Sequence, residues 1–256
     1  MPIDVAGIVF LVVVGVLLPW GAVRSARRLD AGAVFPQRQR FYVATLGQQL
    51  VMVALALWAA AANDIALFPA TAWRGRDALL AVALFVLLLA LLPWRWRAMA
   101  DAERDRLLPL LPHTSREKSL YTVLAIVAGI GEELVYRGTM FALCERLTGS
   151  AWSAALLAAA SFAAGHAVQG ALTAALVGLL ALAFQGLAAT TGALYAGMTV
   201  HAVFDLTVGL GATRILRARA AGSAVPGPAE RRANEASVDQ DELAARDGNG
   251  DGTPGP

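Results

Sequence analysis

Seven apolar stretches, each close to the length of a membrane-spanning helix, follow one another along most of this chain. A helix needs about 20 predominantly apolar residues to cross a bilayer. Only 16% of the residues are charged, whereas soluble domains carry about 25%. The sequence therefore predicts an all-α, polytopic transmembrane helix bundle of about seven spans. The stretches are residues 5–23, 41–61, 77–93, 120–143, 152–168, 171–187 and 192–213.

The basic residues between these stretches predict an orientation. Cytoplasmic loops of membrane proteins carry an excess of arginine and lysine. Here the rich clusters follow the first, third and seventh stretches, so seven spans with the amino terminus outside place all of them in the cytoplasm. The predominance of arginine over lysine and the high alanine content suggest a bacterial protein. We therefore expect an integral protein of the bacterial inner membrane with a cytoplasmic carboxyl terminus.

The distribution of polar residues divides the chain into three parts. Residues 1–114 hold the first three spans and their cytoplasmic loops, and residues 115–214 hold the spans with intramembrane charges. Residues 215–256 are rich in Gly, Pro and charge, and such a composition predicts a disordered tail.

The arginines do not belong to a soluble domain with exposed aromatic residues, so nucleic acid is not an expected partner. The single cysteine, Cys144, excludes an intrachain disulfide and a cysteine-based metal site; oligomeric state is not indicated.

Three charged residues interrupt the fourth stretch, at Glu132, Glu133 and Arg137. A charge near the middle of a bilayer costs about 2.5–3.5 kcal/mol on insertion scales, so such groups need partners. Glu133 and Arg137 are four residues apart and can form an ion pair on one helix face. Glu132 points about 100° away and must find its partner on another helix. Gln48 and Gln49 of the second stretch are interpreted as contacts between helices.

Other polar residues lie at a similar depth in the predicted membrane. The fifth stretch ends with Phe162 and His166 on one face, and the seventh carries His201 and Asp205, again four apart. From a rise of about 1.5 Å per residue, Glu132 and Asp205 lie roughly 20 Å below the outer surface, His166 about 22 Å and His201 about 14 Å. These groups can converge in one layer. The alternative is that each is satisfied separately as a packing residue, although intramembrane ionisable groups favour a functional site.

These three motifs together, Glu132-Glu133-x-x-x-Arg137, Phe162-x-x-x-His166 and His201-x-x-x-Asp205, resemble the signature of the CAAX-protease and bacteriocin-processing family of intramembrane endopeptidases. The resemblance covers about residues 115–212. It implies a helical bundle with a polar cavity between the last four spans, open to the cytosol and the bilayer. Family members in eukaryotes cut after a prenylated cysteine. The resemblance therefore implies a membrane-associated peptide or protein substrate, lipidated or bacteriocin-like.

We assign a role to each motif residue on the basis of this resemblance and of the needs of peptide hydrolysis, an activated water and a stabilised oxyanion. Glu132, assisted by His166, would activate water, and His201 with Asp205 would stabilise the oxyanion. Glu133 and Arg137 would form a structural pair that positions Glu132, with Phe162 in support. The family often has Asn where this chain has Asp205. Because Asp donates a hydrogen bond only when protonated, Asp205 could instead orient His201.

Two alternatives to this mechanism remain open at the level of sequence. His166, His201 and Glu132 would make a two-histidine, one-carboxylate zinc site with an open position, but the chain lacks the His-Glu-x-x-His helix of many zinc proteases. We therefore favour catalysis that requires no cofactor, with zinc as the alternative. The same polar cluster could also serve an ion-coupled transporter or a non-catalytic membrane scaffold. A transporter commonly shows inverted repeats, and none is apparent.

Overall fold

Seven long helices, labelled α1 to α7, make up the computed structural model, which describes residues 2–69, 74–99, 105 and 107–223, the side chains of 212–223 excepted. Within this part of the chain all regular secondary structure is helical. Two short 3₁₀ turns, Leu108–Leu110 and Ala167–Gln169, lie in the connections. The helices are α1 (Val5–Asp30), α2 (Arg38–Ala62), α3 (Gly75–Ala98), α4 (Ser115–Thr148), α5 (Ala151–Gly165), α6 (Ala171–Thr191) and α7 (Tyr195–Ser223).

Each predicted span corresponds to one of these helices, and the all-α fold is confirmed. Among the described residues, α1 to α4 and α6 are long and apolar enough to cross a membrane, whereas α5 has only 15 residues. The predicted disordered tail begins at residue 215, whereas α7 continues as a helix to Ser223. The rest of the predicted tail, residues 224–256, lies outside the described residues. The count of seven spans and their orientation stay predictions.

Local sequence accounts for where several helices begin and end. Thr114 caps α4 through a reciprocal pair of hydrogen bonds with Glu117, the arrangement of a capping box. The Ser150 side chain caps α5 in the same position relative to its helix. Gly149 and Gly192, which end α4 and α6, adopt left-handed backbone angles that glycine reaches without steric cost. Gly149 and Ser150 therefore form the short connection between α4 and α5, and Gly192 begins the one between α6 and α7.

Two helices contain π-helical turns. In α1 the π-helical turn Val13–Leu17 ends two residues before Pro19, whose ring nitrogen cannot donate the regular backbone hydrogen bond. In α4 the π-helical segment Glu133–Met140 begins at the second carboxylate of the motif and includes Arg137. Such wide turns inside α-helices occur frequently at functional sites. The π-helical segment of α4 therefore contains both members of the predicted ion pair, Glu133 and Arg137.

The central element is α4. In the most apolar 18 residues of α4, 56% of the residues are buried, compared with 17% in α3 and 17% in α6. Its buried side chains, Leu134, Val135 and Met140 among them, share a core with Phe10 of α1 and Met52 of α2. Large apolar side chains on the outer helices are exposed, as expected where lipid is the solvent. Glu132, Glu133 and Arg137 are buried as well, so the charged motif residues of α4 lie inside the bundle.

A close approach between α4 and α7 depends on Gly129. A Cβ atom placed on Gly129 would overlap the backbone of Ala202, so only glycine permits this separation. Small residues allow transmembrane helices to approach closely. Gly129 lies about one turn before Glu132, and Ala202 directly follows His201, so this contact brings the two helices together beside both side chains.

Candidate active site

Glu133 lies at the centre of a buried polar cluster. It is 0% exposed, and its Oε1 atom lies 3.2 Å from Nη1 of Arg137. The same oxygen accepts a hydrogen bond from Nδ1 of His201, at 2.9 Å. Its other oxygen, Oε2, lies against Gly197 of α7, where a Cβ atom would come within 2.8 Å. The predicted ion pair with Arg137 is therefore present, and it also holds a histidine of α7.

His201 links all three carboxylates of the cluster. Because a carboxylate can only accept, Nδ1 of His201 is the donor to Glu133. Its other nitrogen, Nε2, lies 3.6 Å from Oε2 of Glu132 and 3.8 Å from Oδ2 of Asp205. Both distances are longer than a direct hydrogen bond. The structure therefore brings together the motif residues of α4 and α7.

Glu132 has a partner that the sequence did not mark as part of the site. Nε2 of Gln49, on α2, donates a hydrogen bond to Oε1 of Glu132 at 2.5 Å. Both residues are buried, at 4% and 8% exposed. The interpretation of Gln49 as a contact between helices agrees with this geometry. Its contact with Glu132 in particular could not be derived, because no spacing rule relates two helices that are distant in sequence.

His166 lies at the end of α5, where it contacts its own helix. Its backbone follows the last residue of α5, and its Nδ1 atom lies 2.8 Å from the carbonyl oxygen of Phe162. Since a carbonyl only accepts, Nδ1 carries the proton, and in the neutral ring Nε2 is left with the basic lone pair. Within the described residues no ion pair joins His166 to a carboxylate. Its assistance to Glu132 stays a prediction.

Two phenylalanines enclose the charged groups. The guanidinium of Arg137 lies 4.6 Å from the ring centre of Phe162 and 5.4 Å from that of Phe184, distances at which a cation is attracted to an aromatic face. Phe162 also packs on His166 at 4.5 Å, and Phe184 packs on His201 at 5.3 Å. Phe162 was predicted as a supporting residue. Phe184 was not, because one phenylalanine in an apolar helix carries no distinguishing signal.

A small recess lies beside Arg137, between α5 and α6. It has space for about one water molecule. Its polar lining comes from Arg137, Tyr136 and Gln185, and alanines form its walls. The recess therefore lies next to one partner of the buried ion pair.

The zinc set considered from the sequence requires His166, His201 and Glu132 to converge on one point. Within the described part of the chain, no group of three or more His, Cys, Asp or Glu side chains is arranged to hold a metal ion. His201 and Glu132 are neighbours, but the polar contact of His166 is with its own helix. What the cluster offers chemically is a carboxylate beside an imidazole and a second carboxyl group, a combination suited to proton transfer.

Comparison with known proteins relates the second half of the chain to a protein family. The profile of a family described as type II CAAX prenyl endopeptidase Rce1-like matches residues 115–207. No curated protein and no solved structure matches the chain. The matched segment contains all seven residues assigned to the site from the sequence: Glu132, Glu133, Arg137, Phe162, His166, His201 and Asp205. The match supports the predicted family, and residues 115–207 are similar to the type II CAAX prenyl endopeptidase Rce1-like family.

Proposed function

We propose that this protein is an intramembrane endopeptidase that hydrolyses a peptide bond in a membrane-associated substrate. The observation that carries the proposal is the position of Glu132, which is buried with its Oε2 atom 3.6 Å from Nε2 of His201. The same nitrogen lies 3.8 Å from Oδ2 of Asp205, and all three residues are inside the segment that matches an endopeptidase family. Because this family is described by a prenylated CAAX substrate, a lipidated carboxyl-terminal peptide is the first substrate class to test. We place the protein in a bacterial inner membrane, with its amino terminus outside.

In the proposed mechanism Glu132 acts as the general base. Its carboxylate removes a proton from a water molecule, and the resulting hydroxide attacks the carbonyl carbon of the substrate to give a tetrahedral oxyanion. Nε2 of His166, the lone-pair nitrogen of the neutral ring, would accept a hydrogen bond from the same water. Glu132 then delivers the proton to the leaving nitrogen as the C–N bond breaks. A positioned acid–base group of this kind contributes about 10²- to 10⁴-fold to a rate.

The oxyanion would form between His201 and Asp205. With Nδ1 of His201 bonded to Glu133, a proton on Nε2 makes the ring a donor on both sides. Nε2 lies 3.6 Å from Oε2 of Glu132 and 3.8 Å from Oδ2 of Asp205, and the substrate oxygen would accept its proton beside these two groups. Pre-aligned donors of this kind stabilise charge that develops only in the transition state.

Replacement of Asp205 by asparagine distinguishes the two roles considered for this residue. We propose that Asp205 acts as a neutral donor, and asparagine donates through its amide whatever the pH. Asp205→Asn should therefore retain activity within about threefold, whereas Asp205→Ala should lose about 10²- to 10³-fold, the effect of removing one oxyanion donor. Initial cleavage rates of the two variants provide the check. An equal loss in both would assign Asp205 to orienting His201 as a carboxylate.

The proposed activity is tested with purified full-length protein in lipid vesicles. Three probes are compared: a farnesylated peptide ending in a CAAX sequence, the same peptide without the farnesyl group, and a transmembrane peptide. We expect release of the terminal tripeptide from the farnesylated probe, detected by mass spectrometry, and no inhibition by a zinc chelator. Chelator inhibition that zinc reverses would instead favour metal-dependent catalysis. Failure to cut any of the three probes would favour the scaffold or transporter alternatives.

A further inference from the structure

Gln49 lies on α2, outside the segment that matches the endopeptidase family. It is 4% exposed, and its side-chain amide donates to Oε1 of Glu132. The orientation of the amide follows from chemistry, since a carboxylate accepts hydrogen bonds and only the NH₂ group of glutamine donates them. The first part of the chain therefore reaches directly into the polar cluster.

The contact is part of a fixed register between α2 and α4. About two helical turns further along both helices, Oγ1 of Thr139 donates a hydrogen bond to the carbonyl oxygen of Ala56 at 3.2 Å. Both hydrogen bonds join residues that are 83 positions apart in the chain, so the two helices run in parallel with one alignment. Between them, Gly131 allows the side chain of Val53 to approach closely. These contacts therefore fix the position of Gln49 relative to Glu132.

The two oxygens of Glu132 have different surroundings. Gln49 occupies Oε1, while Oε2 faces Nε2 of His201. A carboxylate that is hydrogen-bonded through one oxygen has a restricted side-chain rotation. Its second oxygen therefore stays directed at Nε2 of His201. Positioning of a reacting group within a fraction of an ångström has large effects on rate.

We propose that Gln49 is a positioning residue that orients Glu132 for catalysis, an inference that rests on the proposed function. Gln49 does not itself touch the reacting atoms. Its effect should therefore appear in the rate of the chemical step and not in the binding of substrate. A residue that merely joins two helices would instead affect the amount of folded protein and leave the turnover of each folded molecule unchanged.

The test compares Gln49→Met with Gln48→Met in the full-length protein in vesicles, with the farnesylated CAAX peptide as probe. Methionine has nearly the length of glutamine and donates no hydrogen bond. Gln48 is exposed on the same helix and lies 3.9 Å from the sulfur of Met52, so it is a matched control. We expect kcat of Gln49→Met to fall about 10- to 100-fold, with KM within about twofold. Gln48→Met should behave as wild type.

The outcomes separate this inference from the proposed function. If Glu132→Gln abolishes cleavage while Gln49→Met turns over normally, the inference is overturned and the protease assignment stands. If Glu132→Gln cleaves as well as the wild type, both fail. Gln49→Asn, which keeps an amide that is one carbon too short, serves if Gln49→Met does not accumulate. It should show the same fall in kcat, and a normal kcat would overturn the inference in the same way.

Discussion

Replacing Glu132 by glutamine should reduce peptide cleavage at least about 100-fold, within the range attributed to a general base. Glutamine has the size of glutamate and keeps an oxygen that can accept the hydrogen bond from Gln49. It cannot take a proton from water. The variant should therefore fold normally and bind substrate, while the initial rate of tripeptide release, measured by mass spectrometry, falls.

The control for this variant is Glu145→Gln, which makes the same chemical change on an exposed residue of α4. Its cleavage rate should equal that of the wild type. Full activity of Glu132→Gln would show that the carboxylate of Glu132 is not the general base, whatever the control shows. Loss of folded protein in Glu132→Gln alone would mean that the carboxylate is required for packing; Glu132→Ala would then have to be compared at equal amounts of folded protein.

The second large effect should follow from breaking the buried pair of Glu133 and Arg137. Arg137→Met removes a guanidinium that is 5% exposed and leaves a carboxylate that is 0% exposed without its cation. Removing one partner of a buried ion pair destabilises a protein by about 3–5 kcal/mol. We expect a marked drop in the midpoint of thermal unfolding in detergent, together with loss of folded protein from membranes.

Two further variants make this expectation specific. Arg146→Met removes an exposed arginine of the same helix and should leave the unfolding midpoint unchanged. The double variant Glu133→Gln with Arg137→Met removes both charges, so it should recover a large part of the lost stability. No recovery in the double variant would show that Arg137 stabilises the bundle through its packing on Phe162 and Phe184 and not through charge.

Much of the fold follows from patterns that can be counted along the chain. Apolar stretches of the right length specify helices wherever lipid is the solvent, and the spacing of Glu133 and Arg137 specifies their ion pair. A rise of about 1.5 Å per residue predicts His201 about 6 Å from the level of Glu132, yet their side chains are neighbours. Side-chain length and helix tilt absorb a difference of that size, whereas the ring of His166 contacts its own helix.

Other features of the site could not be obtained in this way. The bond between Gln49 and Glu132 depends on the alignment of two helices distant in sequence, and the packing of Phe184 on His201 depends on how α6 rotates. The end of α5 is a further example. An apolar pattern continues to residue 168, but the helix stops at Gly165, and the His166 ring donates to the carbonyl oxygen of Phe162, one of the carbonyls left without a partner at a helix end.

The π-helical segment Glu133–Met140 makes the length of α4 part of its chemistry. Each α-helical residue turns the chain by about 100°, so loss of a single residue from the wide turns would swing one half of the helix around the other. Then either the carboxylates would face His201, or Leu143 and Cys144 would stay in the core, but not both. A single substitution in this segment leaves the direction of the helix faces unchanged. A change in the length of the segment would move the carboxylates of Glu132 and Glu133 away from the imidazole of His201.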